Sequence, residues 1–422
     1  MRNIEYFKNK KITIVGLARS GVACANLLHK LGAIIRITEA KDNAQTQDAS
    51  TRLCSGEIII ELGKHSQDFI QDADLVIISP GVPLDALPIK WARQFNRPVI
   101  SEIEAASILC PAGIIAVTGS NGKTTVTTLI GKVLEAAQKK VFVCGNIGNP
   151  FCGEVQLMQE GDFVVLEVSS FQLETIKNFK PKIALILNLT PNHLDRYKNI
   201  QEYLAAKKRI FMNQDEGDFL ILSADDLLLR GIQSQAIKAS VDFFTKQDGL
   251  NPNQSAVLSV GKILGIDQSL MQKVFAEFKG LEHRMEELGQ IKGVRFINDS
   301  KATTADSAIW AIKNINIPII LIAGGRHKGI DYGVILEYAR GKVKQVILIG
   351  ESKDIIARDL KGEFLTAMAS SLEEALNKAY ALAEPGDAVL FSPMCSSYDM
   401  FKDYEDRGRV FKKIVAQLAL KD

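Results

Sequence analysis

The chain alternates short runs of apolar, often β-branched residues with longer amphipathic stretches, and glycine or an Asx residue usually separates them. A strand buried on both faces reads as a continuous apolar run, whereas a helix that covers a sheet is apolar on one face only. Their alternation is typical of parallel sheets with crossover helices. It occurs in three blocks, with predicted strands at 12–15, 34–38, 58–61 and 75–79, at 114–117, 141–143, 163–166 and 183–187, and at 294–297, 317–323, 346–349 and 388–391.

The length of 422 residues also exceeds what one hydrophobic core usually supports. We therefore predict an α/β protein of three domains. Residues 1–101 would form an N-terminal Rossmann-like domain, 102–280 a central P-loop-type mononucleotide-binding domain, and 281–422 a C-terminal Rossmann-like domain.

Composition narrows the class of partner. With 46% hydrophobic and 24% charged residues the chain should fold, and 51 Lys and Arg against 49 Asp and Glu give no global positive field for nucleic acid or an anionic membrane. No apolar run reaches the roughly 18 to 20 residues needed to span a bilayer, and the N-terminus lacks the apolar stretch of a signal peptide. The six cysteines show no metal-like spacing. We expect a cytoplasmic, monomeric enzyme with reduced thiols and small-molecule substrates.

The first predicted strand ends in a glycine-containing turn, Gly16-Leu17-Ala18-Arg19-Ser20-Gly21, before an amphipathic stretch. Such a turn can seat a diphosphate on a helix N-terminus, where unpaired N–H groups favour anions. As a dinucleotide fingerprint it is imperfect, because Ala18 replaces the middle glycine, although Glu39 stands where an acidic ribose ligand is expected. A purely structural turn remains an equal alternative.

The first strand of the second block runs into Thr118-Gly119-Ser120-Asn121-Gly122-Lys123-Thr124-Thr125, which predicts a phosphate-binding loop. Val117 replaces the leading glycine of the strict motif. The required chemistry is present, since glycines expose backbone N–H groups, Lys123 can reach phosphates and the Thr124 hydroxyl can bind Mg²⁺. The alternative is a plain glycine turn followed by a surface lysine.

Two further strands deliver polar residues to the same sheet edge. Glu167 follows the strand at 163–166, and His193 lies in the segment after the strand at 183–187. Ligands bind at the carboxyl edge of open α/β sheets, where a carboxylate can complete a Mg²⁺ shell. A lone loop histidine is more often a surface residue, so His193 gains weight only from its position.

These motifs and others in collinear order resemble the Mur ligase family. The resemblance rests on Gly119–Thr125, Gly145–Gly148, Glu167–Glu174 and His193–Tyr197 in the centre, and on Gly280–Glu286, Asn298–Thr303, Gly324–Gly329 and Ser392–Lys402 in the last third. The run Ser-Ser-Phe-Gln-Leu-Glu is specific to the member that adds D-glutamate. The resemblance implies an ATP-dependent ligase that joins D-glutamate to UDP-N-acetylmuramoyl-L-alanine through an acyl phosphate, in peptidoglycan precursor synthesis.

The resemblance also implies site residues and cofactors, namely ATP and two Mg²⁺ ions. Lys123, His193 and Lys207 would be catalytic, and the metal ligands would be Thr124, Glu167, His193 and a carbamylated Lys207. From the residues alone, Lys207, Lys208 and Arg209 read as a solvated helix face, and periodicity does not say which of them points inward.

Three binding regions follow from the same resemblance. ATP would contact Gly119, Ser120, Asn121, Gly122, Lys123, Thr124, Thr125, Asn251, Gln254, Arg284 and Asp299. The UDP substrate would contact Gly16, Leu17, Ala18, Arg19, Ser20, Glu39, Lys41, Ser79, Gly81, Asn146, Ser169 and Gln172. D-Glutamate would contact Lys301, Thr303, Lys328, Ser397 and Tyr404.

The sequence departs from the family near the adenine, and rival functions stay open. Family members usually carry Gly-x-His-Asn there, whereas this chain reads Asp-Gly-Leu-Asn-Pro-Asn-Gln-Ser at 248–255 and keeps only Asn251. The rivals are another amide ligase of the family, including a folylpolyglutamate type, a Rossmann oxidoreductase, and a nucleotide-gated binding protein that has lost catalysis.

Overall fold

The structure is a computed structural model, and it describes residues 1–190, 196–234, 237–327 and 329–421. The chain divides into two compact units, Met1–Phe278 and Lys279–Asp422. The first unit contains two separate sheets and the second contains one. The α/β class is confirmed, while the domain boundaries at 101/102 and 280/281 stay predictions.

The first sheet has five parallel strands in the order β3-β2-β1-β4-β5. The strands are β1 (Lys11–Val15), β2 (Ile34–Glu39), β3 (Ile59–Leu62), β4 (Leu75–Ile78) and β5 (Val99–Ser101), and the helices are α1 (Arg19–Lys30), α2 (Ala44–Ser50), α3 (Gln67–Gln71), α4 (Leu87–Gln94) and α5 (Glu102–Leu109). The chain proceeds from β1 to one side and later returns to the other side with β4. The carboxyl end of β1 therefore lies at the switch point where such sheets bind ligands.

The second sheet has six parallel strands in the order β11-β10-β9-β6-β8-β7. Its strands are β6 (Gly113–Thr118), β7 (Val141–Gly145), β8 (Phe163–Glu167), β9 (Ile183–Ile186), β10 (Phe219–Ser223) and β11 (Ser240–Phe244). Its helices are α6 (Lys123–Ala136), α7 (Phe151–Glu154), α8 (Ser170–Leu173), α9 (Ile200–Lys208), α10 (Leu227–Arg230), α11 (Pro252–Ile263) and α12 (Gln268–Glu277). Strand β6 lies between β8 and β9, so the segments after these three strands share one edge.

The second unit has a mixed sheet in the order β12-β13-β17-β14-β15-β16, in which only β12 is antiparallel to its neighbour among the described strands. The strands are β12 (Glu286–Ile291), β13 (Val294–Asn298), β14 (Ile319–Gly324), β15 (Val343–Ile349), β16 (Leu365–Met368) and β17 (Ala388–Phe391). The helices are α13 (Ala305–Asn314), α14 (Leu336–Ala339), α15 (Lys353–Asp359), α16 (Leu372–Leu382) and α17 (Tyr404–Lys421).

Each of the twelve predicted apolar runs overlaps an observed strand. Five described strands were not predicted: β5, β10, β11, β12 and β16. Four of these five are at sheet edges, and β10 is an internal strand with an apolar sequence. An edge strand buries fewer positions, so its sequence shows a weaker apolar run. Continuous apolar runs therefore identified mainly the central strands, such as β4, β9 and β17, whose residues are all buried.

Within the described residues no helix has the length and apolarity to cross a membrane. The six cysteines are free thiols, and all except Cys54 are buried.

A buried carboxylate joins the first two sheets of unit 1. Glu104, in α5, is fully buried and accepts hydrogen bonds from the backbone N–H groups of Lys177, Asn178 and Phe179, at 3.0, 2.7 and 2.9 Å. Hydrogen bonds to a charged acceptor are stronger than neutral ones, and three donors satisfy one carboxylate here. Glu104 therefore fixes the segment after α8 against α5.

We expect Glu104→Gln to lower the free energy of unfolding by about 2 to 4 kcal/mol, because the amide replaces one accepting oxygen with a donor that faces backbone N–H groups. Denaturant titration followed by circular dichroism measures the loss.

Glu102→Gln is the matched control on the same helix. Burial raises the pKa of Glu102 to about 7, and one of its oxygens has no hydrogen-bond partner among the described residues. Ionisation of Glu102 therefore disfavours the folded state increasingly as the pH rises from 4.5, the ordinary pKa of a glutamate, towards 7. At neutral pH the Glu102→Gln variant should lower the free energy of unfolding by less than about 1 kcal/mol. Its stability relative to the wild type should increase as the pH rises from about 5 to about 8. Equal losses in both variants would contradict this account of Glu104.

Candidate active site

The loop between β6 and α6 has a backbone that only glycine accommodates at two positions. Gly119 has φ +151° and Gly122 has φ +80°. A Cβ on Gly122 would lie 2.5 Å from the Asn253 side-chain oxygen, and one on Gly119 would lie 3.1 Å from Leu187 Cβ. The predicted phosphate loop is thus closely packed and leads directly into the N-terminus of α6, which favours anions.

Residues after β9 hold this loop in place. Asn188 Oδ1 accepts a hydrogen bond from Asn121 N at 2.8 Å, and Ser120 Oγ donates to the Thr190 carbonyl at 3.0 Å. Lys123 Nζ donates to the carbonyls of Gly119 and Ser120, both at 2.9 Å. The Lys123 side chain therefore lies over the loop, while Thr124 and Thr125 lie in the first turn of α6. The role of Asn188 was not predicted.

Glu167 lies at the end of β8, in register with Val117 of β6, and is 2% exposed. One carboxylate oxygen accepts a hydrogen bond from Asn146 Nδ2 at 2.8 Å. The other oxygen is buried and has no hydrogen-bond partner among the residues described. A buried anionic oxygen without a partner is costly, so this position calls for a cation.

Lys207 points inward from α9, which resolves the alternatives left open by its sequence. Its side chain is 1% exposed, and its Nζ donates to the Gly119 carbonyl at 3.0 Å and lies 4.3 Å from the centre of the Tyr203 ring. Burial, reinforced by the charge of Lys123, holds the pKa of Lys207 well below the usual value, and Glu167 opposes this shift. Lys208 is half-buried by contrast.

His193 lies outside the described residues, whereas Arg196 and Tyr197 are held by contacts with α8 and its C-cap. Glu174 accepts hydrogen bonds from Arg196 Nε at 3.2 Å and from the Tyr197 hydroxyl at 2.6 Å. The Arg196 guanidinium lies 4.1 Å from the centre of the Phe171 ring. Residues of α8 and its C-cap therefore fix the position of Arg196 and Tyr197.

The turn after β1 is shaped by close contacts with the ends of β2 and β4. Gly16 has φ +101°, and its carbonyl accepts a hydrogen bond from Ser79 Oγ at 3.1 Å. Glu39 accepts from the backbone N–H groups of Leu17 at 2.9 Å and Lys41 at 3.0 Å. The predicted residues Ala18, Arg19 and Ser20 form the start of α1, and Gly81 is exposed just after β4.

Arg19 and the remaining residues predicted for the UDP substrate lie close to elements of the second sheet. Arg19 donates to the Gly148 carbonyl at 2.6 Å. Ser169 and Gln172 form a reciprocal capping box at the start of α8, and Gln172 is buried. Their side chains thus cap the N-terminus of α8, whether or not they also contact a ligand.

The predicted adenine contacts also pair with each other. Asn251 caps α11, its side chain accepts from Gln254 N at 3.0 Å, and the Gln254 side chain accepts from Asn251 N at 2.9 Å. Asn253, which was not predicted, instead approaches the phosphate loop at Gly122. The sequence signal that could have identified Asn253 is its position two residues after Asn251, a predicted nucleotide contact.

In the second unit Asp299 is 4% exposed and accepts hydrogen bonds from Ser392 Oγ at 2.8 Å and Met285 N at 3.2 Å. Burial raises its pKa to about 7, against the nearby charge of Arg284. The two residues predicted to contact nucleotide are therefore neighbours.

The segments after β13 and β17 meet in the same unit. Lys301 Nζ lies 5.6 Å from the centre of the Tyr404 ring, and Met394 N donates to the Ala302 carbonyl at 2.8 Å. Ser397 is 2% exposed, and Thr303 is half-buried beside Lys301. The structure thus brings the predicted Lys301 and Tyr404 together, while Lys328 lies outside the described residues.

An unpredicted buried arginine supports this region. Arg407 is 1% exposed and donates to the carbonyls of Ser300 at 2.7 Å and Cys395 at 3.1 Å. Desolvation lowers its pKa to about 10. Its contacts join the two segments that carry Lys301 and Ser397, and only a folded structure could reveal them.

Three family models match the chain in order. "Mur ligase MurD-like, N-terminal domain" matches residues 10–101, "Mur ligase middle domain" matches 117–286, and "Mur ligase, glutamate ligase domain" matches 283–395. The chain belongs to the Mur ligase family. It is 39% identical to the UDP-N-acetylmuramoylalanine–D-glutamate ligase of Thermoanaerobacter pseudethanolicus, over 97% of this chain and 99% of that one. It is 40% identical to the protein of that name in Geotalea uraniireducens, over 97% and 98%.

Solved structures show the same fold. The UDP-N-acetylmuramate-alanine ligase MurC from Thermotoga maritima matches with a TM-score of 0.60 at 21% identity, over 97% of this chain and 100% of that one. The MurF ligase from Thermotoga maritima in complex with ADP matches with a TM-score of 0.59 at 16% identity, over 99% and 98%. These likenesses establish the three-domain α/β architecture of this Mur ligase.

We expect Lys207→Ala to lower turnover about 10²- to 10³-fold, because the variant removes the buried group that faces the phosphate loop. Added acetate or formate should restore part of the activity if the working group is a carboxylate-like carbamate. Phosphate release with saturating substrates measures both effects.

Lys208→Ala is the matched control, since it removes the adjacent, less buried lysine and should keep nearly full turnover. Loss of activity in the Lys208 variant alone would show that the inward-facing lysine has been wrongly assigned.

Proposed function

We propose that this Mur ligase joins D-glutamate to UDP-N-acetylmuramoyl-L-alanine at the expense of ATP, as a step of peptidoglycan precursor synthesis. The observation that carries the proposal is the arrangement of Lys123, Lys207 and the unpartnered oxygen of Glu167 around the phosphate loop. The choice of D-glutamate rests on the relatives of that name, which match nearly the whole chain.

The proposed reaction has two steps. An oxygen of the alanyl carboxylate attacks the γ-phosphorus of ATP, and ADP leaves, so that an acyl phosphate forms. The unprotonated amine of D-glutamate then attacks the acyl carbon, loses a proton, and expels inorganic phosphate from the tetrahedral intermediate. Negative charge collects on phosphoryl and carbonyl oxygens in both steps, so Lys123 and the N-terminus of α6 contribute by electrostatic stabilisation and positioning.

The residues fit Mg²⁺ at the phosphate loop. Glu167 offers a buried oxygen without a hydrogen-bond partner among the described residues, and Thr124 lies in the first turn of the helix that follows the loop. Among the described residues no three His, Cys, Asp or Glu side chains form a metal-binding group. Bound Mg²⁺ would neutralise and orient the phosphate oxygens.

Two sites are proposed, one held by Thr124 and Glu167 and the other by His193 and the Lys207 carbamate. The carbamate requires a neutral amine, which attacks CO₂ and releases a proton. The lowered pKa of Lys207 supports this step, because burial keeps more of the amine unprotonated.

The UDP part of the substrate is proposed to bind at the start of α1, where helix N–H groups meet an anion. Glu39 would act there by holding the backbone of Leu17 and Lys41 in shape. In the second unit, Lys301, Thr303, Lys328, Ser397 and Tyr404 are proposed to bind D-glutamate. A monomeric, cytoplasmic enzyme remains part of the proposal.

The direct test measures ATP-dependent phosphate release with UDP-N-acetylmuramoyl-L-alanine across a panel of amino acids. D-Glutamate should support release, and L-glutamate should not, because the inverted centre cannot present the amine and both carboxylates together. Preference for another amino acid, or for a folate acceptor, would assign the chain to a different member of the family.

Specificity can be tested at Ser397. A hydrogen bond to a charged group contributes roughly 1.5 to 3 kcal/mol, so we expect Ser397→Ala to raise the KM for D-glutamate about ten- to a hundredfold. The KM for ATP should change by less than about threefold, since the contact is specific to the amino acid.

Ser396→Ala provides the control, because the hydrogen bond that Ser396 Oγ makes within the described residues is a long one, 3.4 Å to the Arg326 carbonyl. A parallel rise of both KM values, or the same effect in the control, would place Ser397 outside the D-glutamate pocket.

A further inference from the structure

A cavity in unit 1 lies between the first and second sheets. Its lining contains none of the residues discussed above for ATP, UDP and metal. It has a volume of about 320 Å³. One wall comes from α4 and the start of β5, and the other from the segment after α8 together with Arg209. Cavities of this size accept small organic molecules.

The polar lining of the cavity is strongly cationic. Arg93, Arg97, Lys177 and Arg209 line it, together with a single carboxylate, Glu174. That carboxylate is already paired with Arg196. The chain as a whole carries a net charge of only +2, so this concentration of positive charge is local. Its electrostatic complement is an anion.

Two polar atoms in the lining are buried without a hydrogen-bond partner among the described residues, namely Arg97 Nε and Thr175 Oγ1. Such atoms are few in native proteins, and each costs about 1 to 3 kcal/mol unless a water, ion or ligand satisfies it. Both atoms lie beneath the surface of the cavity, so they show that the polar groups of this lining are incompletely paired, but neither contacts a ligand directly.

The rest of the lining is apolar. Leu84, Ile89, Pro98, Val99 and Ile176 complete the cavity. An inorganic ion would leave this surface in contact with water, whereas a ligand with an apolar or aromatic body would cover it. The combination favours an amphipathic anion over a free ion.

The walls of the cavity are fixed by contacts made elsewhere in the unit. Arg209 donates hydrogen bonds to the carbonyls of Leu173 at 2.7 Å and Ile176, and Glu104 holds the backbone of Lys177. The site is therefore preorganised, which reduces the ordering cost of binding.

We propose that this cavity is a second anion-binding site, which takes a small organic phosphate with an apolar or aromatic body. The phosphate is held by the cationic side chains of Arg93, Arg97 and Lys177, and the body lies against Leu84 and Ile176. The proposal does not depend on the identity of the amino acid that the enzyme adds.

Isothermal titration of the full chain, saturated with ADP, Mg²⁺ and UDP to fill the nucleotide sites, tests the proposal with phenyl phosphate as the probe. At constant ionic strength we expect one phenyl phosphate per chain with a Kd of about 1 mM or tighter. Arg97→Gln should weaken binding about ten- to a hundredfold or abolish it. Turnover of the ligase reaction should be unchanged in this variant, which also shows that it is folded.

Lys90→Gln is the matched control, because Lys90 is an exposed cation on α4 that does not line the cavity. It should change the Kd by less than about twofold, since it removes only an exposed charge that the solvent screens. Inorganic phosphate should bind more weakly than phenyl phosphate. Absence of saturable binding, equal Kd values for the wild type and Arg97→Gln, or an equal loss in Lys90→Gln would overturn the site. Inorganic phosphate that binds as tightly as phenyl phosphate would overturn the assigned ligand class.

Discussion

The backbone of residues 119–122 is the constraint on which the candidate active site of unit 1 depends. Gly119 and Gly122 adopt positive φ values, and neither position has comfortable room for a Cβ atom. Packing from Leu187 and Asn253 and hydrogen bonds from Asn188 give the loop its shape. The loop in turn supplies the carbonyl oxygens that receive both Lys123 and Lys207. Its conformation thus determines where the two lysine nitrogens lie before any substrate arrives.

The balance of charge around this loop explains the other features of the site. Glu167 is buried with one oxygen unpartnered among the described residues, while Lys207 is buried beside a second lysine. Low dielectric and like charge both favour the neutral amine of Lys207, and that amine is the form able to become an anionic carbamate. Such a change would convert a repelled cation into a ligand for a cation. The site would then have anionic oxygens placed for metal ions and cationic groups placed for phosphate.

Much of this organisation was predictable from the sequence, and the failures have physical causes. Central strands such as β9 and β17 are continuous apolar runs because both faces are buried, so the three sheets could be predicted. Edge strands such as β12 and β16 lack that signal. The inward direction of Lys207 was not predictable, since three cations in succession show no apolar periodicity. Nor were the pairing of Asn251 with Gln254, the backbone contacts of Glu39, or the support from Arg407, because each depends on where the chain returns in space.

The central claim is that ATP activates the alanyl carboxylate as an acyl phosphate. UDP-N-acetylmuramoyl-L-alanine labelled with ¹⁸O in that carboxylate tests it directly in a complete reaction with ATP and D-glutamate. An acyl phosphate loses its bridging oxygen with the phosphate, so the account predicts one ¹⁸O atom in each molecule of inorganic phosphate released. Inorganic phosphate that contains no ¹⁸O would contradict it.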